Sequence, residues 1–320
     1  MARLGGMSLF QSLSRRRFLM GAGAAAAAVA LEPNSVAAPM KGHGQDFDFV
    51  FLTDTHIQPE LDATHGCSMA FKKMSREKAD FAIQGGDHVF DSLGVPKERA
   101  VSLFDLYKKT EQDLGMKTYH TIGNHDCVGV YAKSGVSMED PAFGKRYYEE
   151  HVGKTYYSFD HKGVHFVVLD SIGFTEDRRY EGRVDAEQLV WLGKDLGALE
   201  AKTPVIVTSH IPLVTAMDCY VPRPEKPEKH HGESVANSDE VLSLFTGRNV
   251  IGVLQGHTHI NEVVTWHGVP FVTSGAVSGN WWHGTRLGAA EGYTMVSVKD
   301  GRMQTRYETY GFQSVDPKNT

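Results

Sequence analysis

Five short runs carry the chemistry available to this chain: Asp54-Thr55-His56, Gly86-Asp87, Gly123-Asn124-His125-Asp126, Ser209-His210 and Gly256-His257-Thr258-His259. They supply carboxylate, amide and imidazole donors at five separated points, and the imidazoles favour Zn, Mn, Fe or Co over Mg or Ca. Each run directly follows a short apolar stretch that reads as a buried strand. Loops beyond the carboxyl ends of the strands of an α/β sheet converge on one crevice. Asp54, His56, Asp87, Asn124, His210, His257 and His259 are therefore expected to face one another around two metal ions, a hydrolase's constellation.

The elements that must position them alternate in the first half of the chain. Phe47 to Leu52 reads as a strand, Ser68 to Lys78 as a helix, Phe81 to Gln84 as a strand, Pro96 to Leu114 as a helix and Lys117 to Thr121 as a strand. The second helix has Pro96 at its first turn, Ala100, Leu103, Tyr107 and Leu114 along one side, and Gly115 past its end. This alternation predicts a mainly parallel sheet covered by helices. Val128 to Pro141 reads as a polar loop. Beyond it, Thr155 to Phe159 and Val164 to Leu169 flank Asp160-His161-Lys162-Gly163 as a hairpin. Asp185 to Leu199 is a helix with Leu189, Leu192, Leu196 and Leu199 on one face, and Pro204 to Thr208 and Val250 to Leu254 are strands leading into histidines. From Glu262 onward the pattern is one of hairpins, clearest at Lys299-Asp300-Gly301.

With 320 residues the chain can bury a full core. A formal charge of -6 argues against a partner bound through many phosphates, so no nucleic acid is expected and a nuclease, which needs a basic groove, is disfavoured. Cys67, Cys127 and Cys219 allow at most one disulfide, and Cys127 reads as a small buried hydrophobe, with a reactive thiol beside the ligand run the alternative.

The first forty residues stand apart. Ser14-Arg15-Arg16-Arg17-Phe18-Leu19-Met20, an Ala-rich run to Leu31 and Ser35-Val36-Ala37 have the order of a twin-arginine export signal with its cleavage site. The apolar run, about 14 residues, is short of the ~20 that a spanning helix requires. The expectation is a signal and linker over 1–40 and a single domain over 41–320. The twin-arginine machinery would be a partner, the destination periplasmic or secreted, with no stable membrane anchor after cleavage.

The order Asp-x-His, Gly-Asp, Gly-Asn-His-Asp, His, Gly-His-x-His resembles the calcineurin-like metallophosphoesterase superfamily, from Phe47 to at least His259. The resemblance implies an α/β fold with a two-layer β-sandwich flanked by helices. It places Asp54, His56 and His259 on one metal, Asn124, His210 and His257 on a second, and Asp87 across both. Physical logic agrees with these roles. Two cations ~3.5 to 4 Å apart stabilise both the entering and leaving oxygens of an in-line displacement at phosphorus, and acidify a bridging water into an available hydroxide. Neutral Asn124 adds a ligand oxygen without negative charge where phosphate must bind.

His125 follows a ligand on the same turn and is the catalytic candidate, able to donate a proton or stabilise phosphate charge, with Asp126 expected to orient it. Trp281 and Trp282, in the glycine-bracketed run Gly275 to Gly284, are candidates for a substrate wall, with core packing the alternative. His88, directly after Asp87, is a further candidate, as a group that supports that ligand or touches substrate, with a surface or packing role the alternative. Pro222 to Asn237, with Arg223, Lys226, Lys229, His230 and His231, could form a flap over the substrate. Purple acid phosphatases carry an iron-ligating Tyr three residues after the bridging Asp. Here that position is Phe90, which argues against a Tyr-ligated iron centre. The reading is a dinuclear hydrolase of small phosphate esters, diesters favoured. The alternatives are an exported phosphomonoesterase of acid phosphatase or nucleotidase type, and a non-catalytic metal-binding module.

Overall fold

The computed structural model describes residues 45–220 and 232–320. The expected export signal and most of the expected flap, including Arg223, Lys226, Lys229, His230 and His231, lie outside the described residues. Among the described residues, no helix is long and apolar enough to cross a membrane.

In chain order the strands are β1 (Phe47–Leu52), β2 (Ala82–Gln84), β3 (Thr118–His120), β4 (Tyr157–His161), β5 (Val164–Leu169), β6 (Ile172–Phe174) and β7 (Tyr180–Gly182). They continue as β8 (Pro204–Ser209), β9 (Asn249–Gln255), β10 (Glu262–Trp266), β11 (Val269–Thr273), β12 (Gly292–Lys299) and β13 (Arg302–Thr309). The α-helices are α1 (Ala63–Met74), α2 (Lys97–Glu111), α3 (Arg146–His151), α4 (Ala186–Gly197) and α5 (Ser238–Ser243).

One sheet has the order β13-β12-β1-β2-β3 and the other β10-β11-β9-β8-β5-β4, while β6 and β7 form a small separate hairpin. The parallel sheet expected from the alternation is thus two sheets, each with a parallel centre. β1, β2 and β3 are parallel, as are β5, β8, β9 and β11. Antiparallel partners fill the margins: β12 and β13 beside β1, β4 beside β5, and β10 beside β11. Short turns join β4 to β5, β10 to β11 and β12 to β13, which antiparallel pairing permits and parallel pairing does not, while β12 reaches β1 from the far end of the chain. At Lys162-Gly163 and Asp300-Gly301 both turn residues take positive φ, the hairpin geometry their sequences favour.

Side-chain alternation divides the core into two layers. Phe47, Phe49 and Phe51 of β1 meet Val164 and Phe166 of β5, Ile206 of β8, Leu254 of β9 and Val272 of β11 in one cluster between the sheets. The intervening Val50 and Leu52, with Val167, Val205 and Val253 of the second sheet, belong to the outer core shared with the helices. Period-two alternation on strands buried on both faces requires this arrangement. Each fully buried Phe contributes roughly 1.5–3 kcal/mol. The helices close the outer faces. Ala100, Leu103, Tyr107 and Leu114 are all buried, as are Leu192 and Leu196 of α4, which Asp185 caps by accepting from the Gln188 amide at 2.8 Å. The result is a two-layer β-sandwich flanked by helices, as the resemblance implies.

The helix expected over Ser68 to Lys78 instead spans Ala63–Met74. Gly66 breaks its sequence pattern. A Cβ there would collide with the Trp282 ring, so tertiary packing selects glycine inside a helix. Cys67 and Cys127 are buried free thiols and Cys219 is an exposed one.

Candidate metal centre

The carboxyl ends of the parallel strands of both sheets meet at one place. Asp54 and His56 follow β1, Asp87 follows β2, Asn124 follows β3, His210 follows β8, and His257 and His259 follow β9. Beyond the strands the ladder continues through the site, with the Asp54 amide donating to Gly86 O (2.9 Å) and the His56 amide to Asp87 O (3.1 Å). Across the sheets, the His257 amide donates to Asp54 Oδ2 at 2.9 Å.

Two groups of donors form. Asp54, His56 and His259 place one ligand atom each within 4.8 Å of the others, and so do Asp87, His210 and His257. In the first, His259 Nε2 is 3.3 Å from Asp54 Oδ1 and 3.0 Å from His56 Nε2. In the second, His210 Nε2 is 3.2 Å from Asp87 Oδ2 and 3.1 Å from Asn124 Oδ1. Asp87 Oδ2 also lies 3.5 Å from His56 Nε2, so one carboxylate oxygen stands between the groups. Asn124, which the resemblance places on the second metal, adjoins that group through its side-chain oxygen.

The residues fit cations. Asp54 Oδ2 accepts from Thr53 Oγ1 (2.7 Å) and the His257 amide, while buried Asp54 Oδ1 has no hydrogen-bond partner. An unsatisfied buried carboxylate oxygen is costly unless a cation meets it. His210 Nδ1 donates to Gly85 O (2.8 Å) and His259 Nδ1 to Gly279 O (2.6 Å), which turns each Nε2 toward the site.

Electrostatics point the same way. Burial opposes ionisation of Asp54, but the His259 and His56 imidazoles outweigh it and hold the carboxyl well below the usual range. Burial also opposes ionisation of Asp87, and His210 and His125 overcome it to lower its pKa. Burial lowers His56 to about 4 against the pull of Asp54 and Asp87, and lowers His257 to about 3 with help from His210. Burial works against charge on His210 too, yet Asp87 and Asp54 raise it to about 9. The Asp54 and Asp87 carboxylates and the His56 and His257 imidazoles are therefore held in ligand form, and a metal would displace the His210 proton.

The backbone is strained here. Asp54 (φ 55°), His56 (40°), Asp87 (56°), His257 (72°) and His259 (58°) all adopt the left-handed region. Each such residue costs on the order of 1–3 kcal/mol, a strain that clusters at functional sites. Close approach matters as well: a Cβ on Gly123 would collide with Asp87, and one on Gly256 with Thr53 and Asp54.

His125 stands at the rim, with its side chain 19% exposed where that of Asp87 is 1%. Its ring meets the His56 ring edge-on at 4.9 Å, and its backbone amide donates to Asp87 Oδ1 at 2.8 Å. The expectation that Asp126 orients His125 is corrected. The Asp126 carboxylate accepts from the amides of Asp87 (3.0 Å), His88 (2.8 Å) and Gly123 (2.9 Å) and pairs with His88 Nδ1 at 2.8 Å. It clamps the ligand turn instead. The carboxylate beside the His125 ring is Asp91, 3.8 Å from Nδ1 and too far for a hydrogen bond.

Two further candidates are corrected. His88 is fully buried between Asp126 and His120 (Nε2 to Nδ1, 3.0 Å), so it supports the Asp87 turn and is not a substrate contact. Trp282 is fully buried, donates from Nε1 to His56 O at 2.9 Å and packs on Phe312, so it is an anchor and not a wall. Trp281 is half-buried against His56, His259 and His125. Sequence reasoning missed Asp91, the hydrogen bond by which Trp282 supports His56, and the Gly279 carbonyl. Asp91, four residues after Asp87, and Trp282 both carry side chains that could have signalled a role, and the Gly279 carbonyl does not.

Comparison with known proteins agrees with this geometry. The family described as calcineurin-like phosphoesterase matches residues 47–261. Purple acid phosphatase 22 of Arabidopsis thaliana is 24% identical over 235 residues, covering 69% of this chain and 48% of that protein. Purple acid phosphatase 21 of the same plant is 25% identical over the same shares. The chain spans about half the length of the curated relatives it matches. Among solved structures, a dimetal phosphatase from Danio rerio superposes with a TM-score of 0.57 at 16% identity, covering 83% of this chain and 99% of that one. GAP50, the anchor in the inner membrane complex of Plasmodium, gives 0.51 at 14% identity, covering 86% and 90%. At such identities the structural likeness is one of fold.

Proposed function

Because the chain belongs to the calcineurin-like phosphoesterase family, we propose that it hydrolyses small phosphate esters at this centre, with diesters preferred over monoesters. The observation that carries the reading is the position of Asp87 Oδ2, 3.2 Å from His210 Nε2 and 3.5 Å from His56 Nε2, between two buried donor groups. Asp54, His56 and His259 would hold one divalent ion, and Asn124, His210 and His257 the other, with Asp87 shared. The ions, drawn from Mn, Zn, Fe or Co, would neutralise phosphoryl charge and acidify the attacking water. The protein's own residues do the rest. The Gly85 and Gly279 carbonyls fix the His210 and His259 tautomers, Asp126 holds the turn that aims Asp87, and burial keeps bulk water from every donor but the half-buried His257. His125, at the rim, would hand a proton to the departing ester oxygen or donate to the phosphoryl group.

The diester preference draws support from the walls. Trp281 lies over the first donor group, Phe90 meets it edge-on at 5.9 Å, and Tyr180 faces His257 at 6.0 Å. Aromatic surroundings suit a monoanion with two organic arms better than a dianionic monoester. Monoester hydrolysis is the second reading, supported by the similarity to purple acid phosphatases. We also propose twin-arginine export, on the order of Arg15-Arg16-Arg17 and the apolar run that follows.

The test is hydrolysis of bis(p-nitrophenyl) phosphate and p-nitrophenyl phosphate by protein loaded separately with Mn, Zn and Fe. Faster cleavage of the diester is expected. Faster cleavage of the monoester would move the assignment to a phosphatase, and no metal-dependent cleavage of either would contradict it.

A further inference from the structure

The run Gly275 to Gly284 is fastened at four points, three on residues of the first donor group and one on Thr53 beside it. The Val277 and Ser278 amides donate to Thr53 O (3.0 Å) and Asp54 O (3.1 Å), His259 Nδ1 donates to Gly279 O, and Trp282 Nε1 donates to His56 O. Trp282 is buried beneath, against Gly66 and Phe312. Trp281 and Trp282 both take positive φ, at 56° and 71°. Bulky residues rarely adopt that conformation, and two in succession mark a loop shaped against local preference. The strained placement leaves the Trp281 indole 3.9 Å from the His56 ring, 4.7 Å from His259 and 5.0 Å from His125, centroid to centroid. It is half-buried, unlike its neighbour.

The core needs only Trp282, and no donor atom of the centre depends on the Trp281 ring for a hydrogen bond. We propose that Trp281 is a specificity-determining residue, the wall on which a planar aromatic arm of the phosphate ester stacks, so that aryl-bearing esters are favoured over alkyl ones. This rests on the phosphoesterase reading and names the class of substrate for it. An indole held rigidly at its backbone offers a flat face at little entropic cost, and aromatic rings pair with it in offset or edge-on geometry. Phe90, edge-on to the same indole at 5.9 Å, extends the aromatic surface.

The test is binding rather than turnover. Phenylphosphonate and methylphosphonate, which present the same anionic head with and without an aromatic arm, are titrated calorimetrically into Mn-loaded protein. The parent is expected to bind the phenyl compound about tenfold more tightly. Trp281→Ala should weaken phenylphosphonate about tenfold and methylphosphonate less than twofold, with unchanged Mn content, and Trp281→Phe should restore most of the difference. Equal binding of both by the parent, equal weakening of both in Trp281→Ala, or loss of Mn from that variant would overturn the proposal. Hydrolysis assays on the same samples judge the phosphoesterase reading separately: an inactive parent that still discriminates phenyl from methyl refutes that reading and leaves the wall standing.

Discussion

Asp87→Ala is expected to remove paired metal binding and hydrolysis together. The carboxylate does three jobs at once. Oδ2 faces His56 on one side and His210 on the other, Oδ1 accepts the His125 amide, and the negative charge is the largest favourable influence on the buried His210 imidazolium. No neighbour can substitute, because Asp54 Oδ1 lies 4.0 Å from His210 Nε2 and the Asp126 carboxylate is committed to backbone amides. Turnover should fall by at least about three orders of magnitude, as when a preorganised group worth ~4 kcal/mol at the transition state is lost. Metal content should drop below two equivalents while circular dichroism still reports a folded chain. Full activity in this variant would refute the shared-ligand role.

His125→Ala should behave differently. The contribution of this residue to ligand placement comes from its backbone amide, donating to Asp87 Oδ1, and alanine keeps that amide. The ring belongs to neither donor group, sits at the rim and is not hydrogen-bonded through Nδ1. Both metal equivalents should remain while kcat falls by roughly 10²–10⁴-fold, the usual share of a general acid. Loss of metal would make the ring a ligand, and unchanged turnover would remove its catalytic role.

These two residues also show what the sequence could convey. Asp87 and the other donors were legible because each follows an apolar run, and a parallel strand delivers its next residues to the carboxyl edge of the sheet. Phe47–Leu52 and Val164–Leu169 are strands over the residues expected, and Asp300-Gly301 is the turn expected. The two-sheet arrangement was not legible from periodicity, since runs buried on both faces look alike in one sheet or two; it came from the resemblance.

Asp126 was misassigned because adjacency in sequence suggested contact. Asn124–Asp126 is a 3-10 turn, in which consecutive side chains point about 120° apart, so Asp126 turns inward to His88 while His125 stays at the rim. Trp281 and Trp282 are neighbours of one residue type with opposite fates, decided by the complementary space at Gly66. The Gly279 carbonyl that fixes His259 is backbone and leaves no side-chain signature.

The proposed chemistry depends on the two donor groups holding a pair of metal ions that share Asp87. The most direct measurement is anomalous diffraction from crystals of Mn-loaded protein, collected above and below the Mn edge. Two peaks are predicted, one among Asp54, His56 and His259 and one among Asn124, His210 and His257, both in contact with Asp87. A single peak, or two peaks of which one does not touch Asp87, would overturn the paired centre.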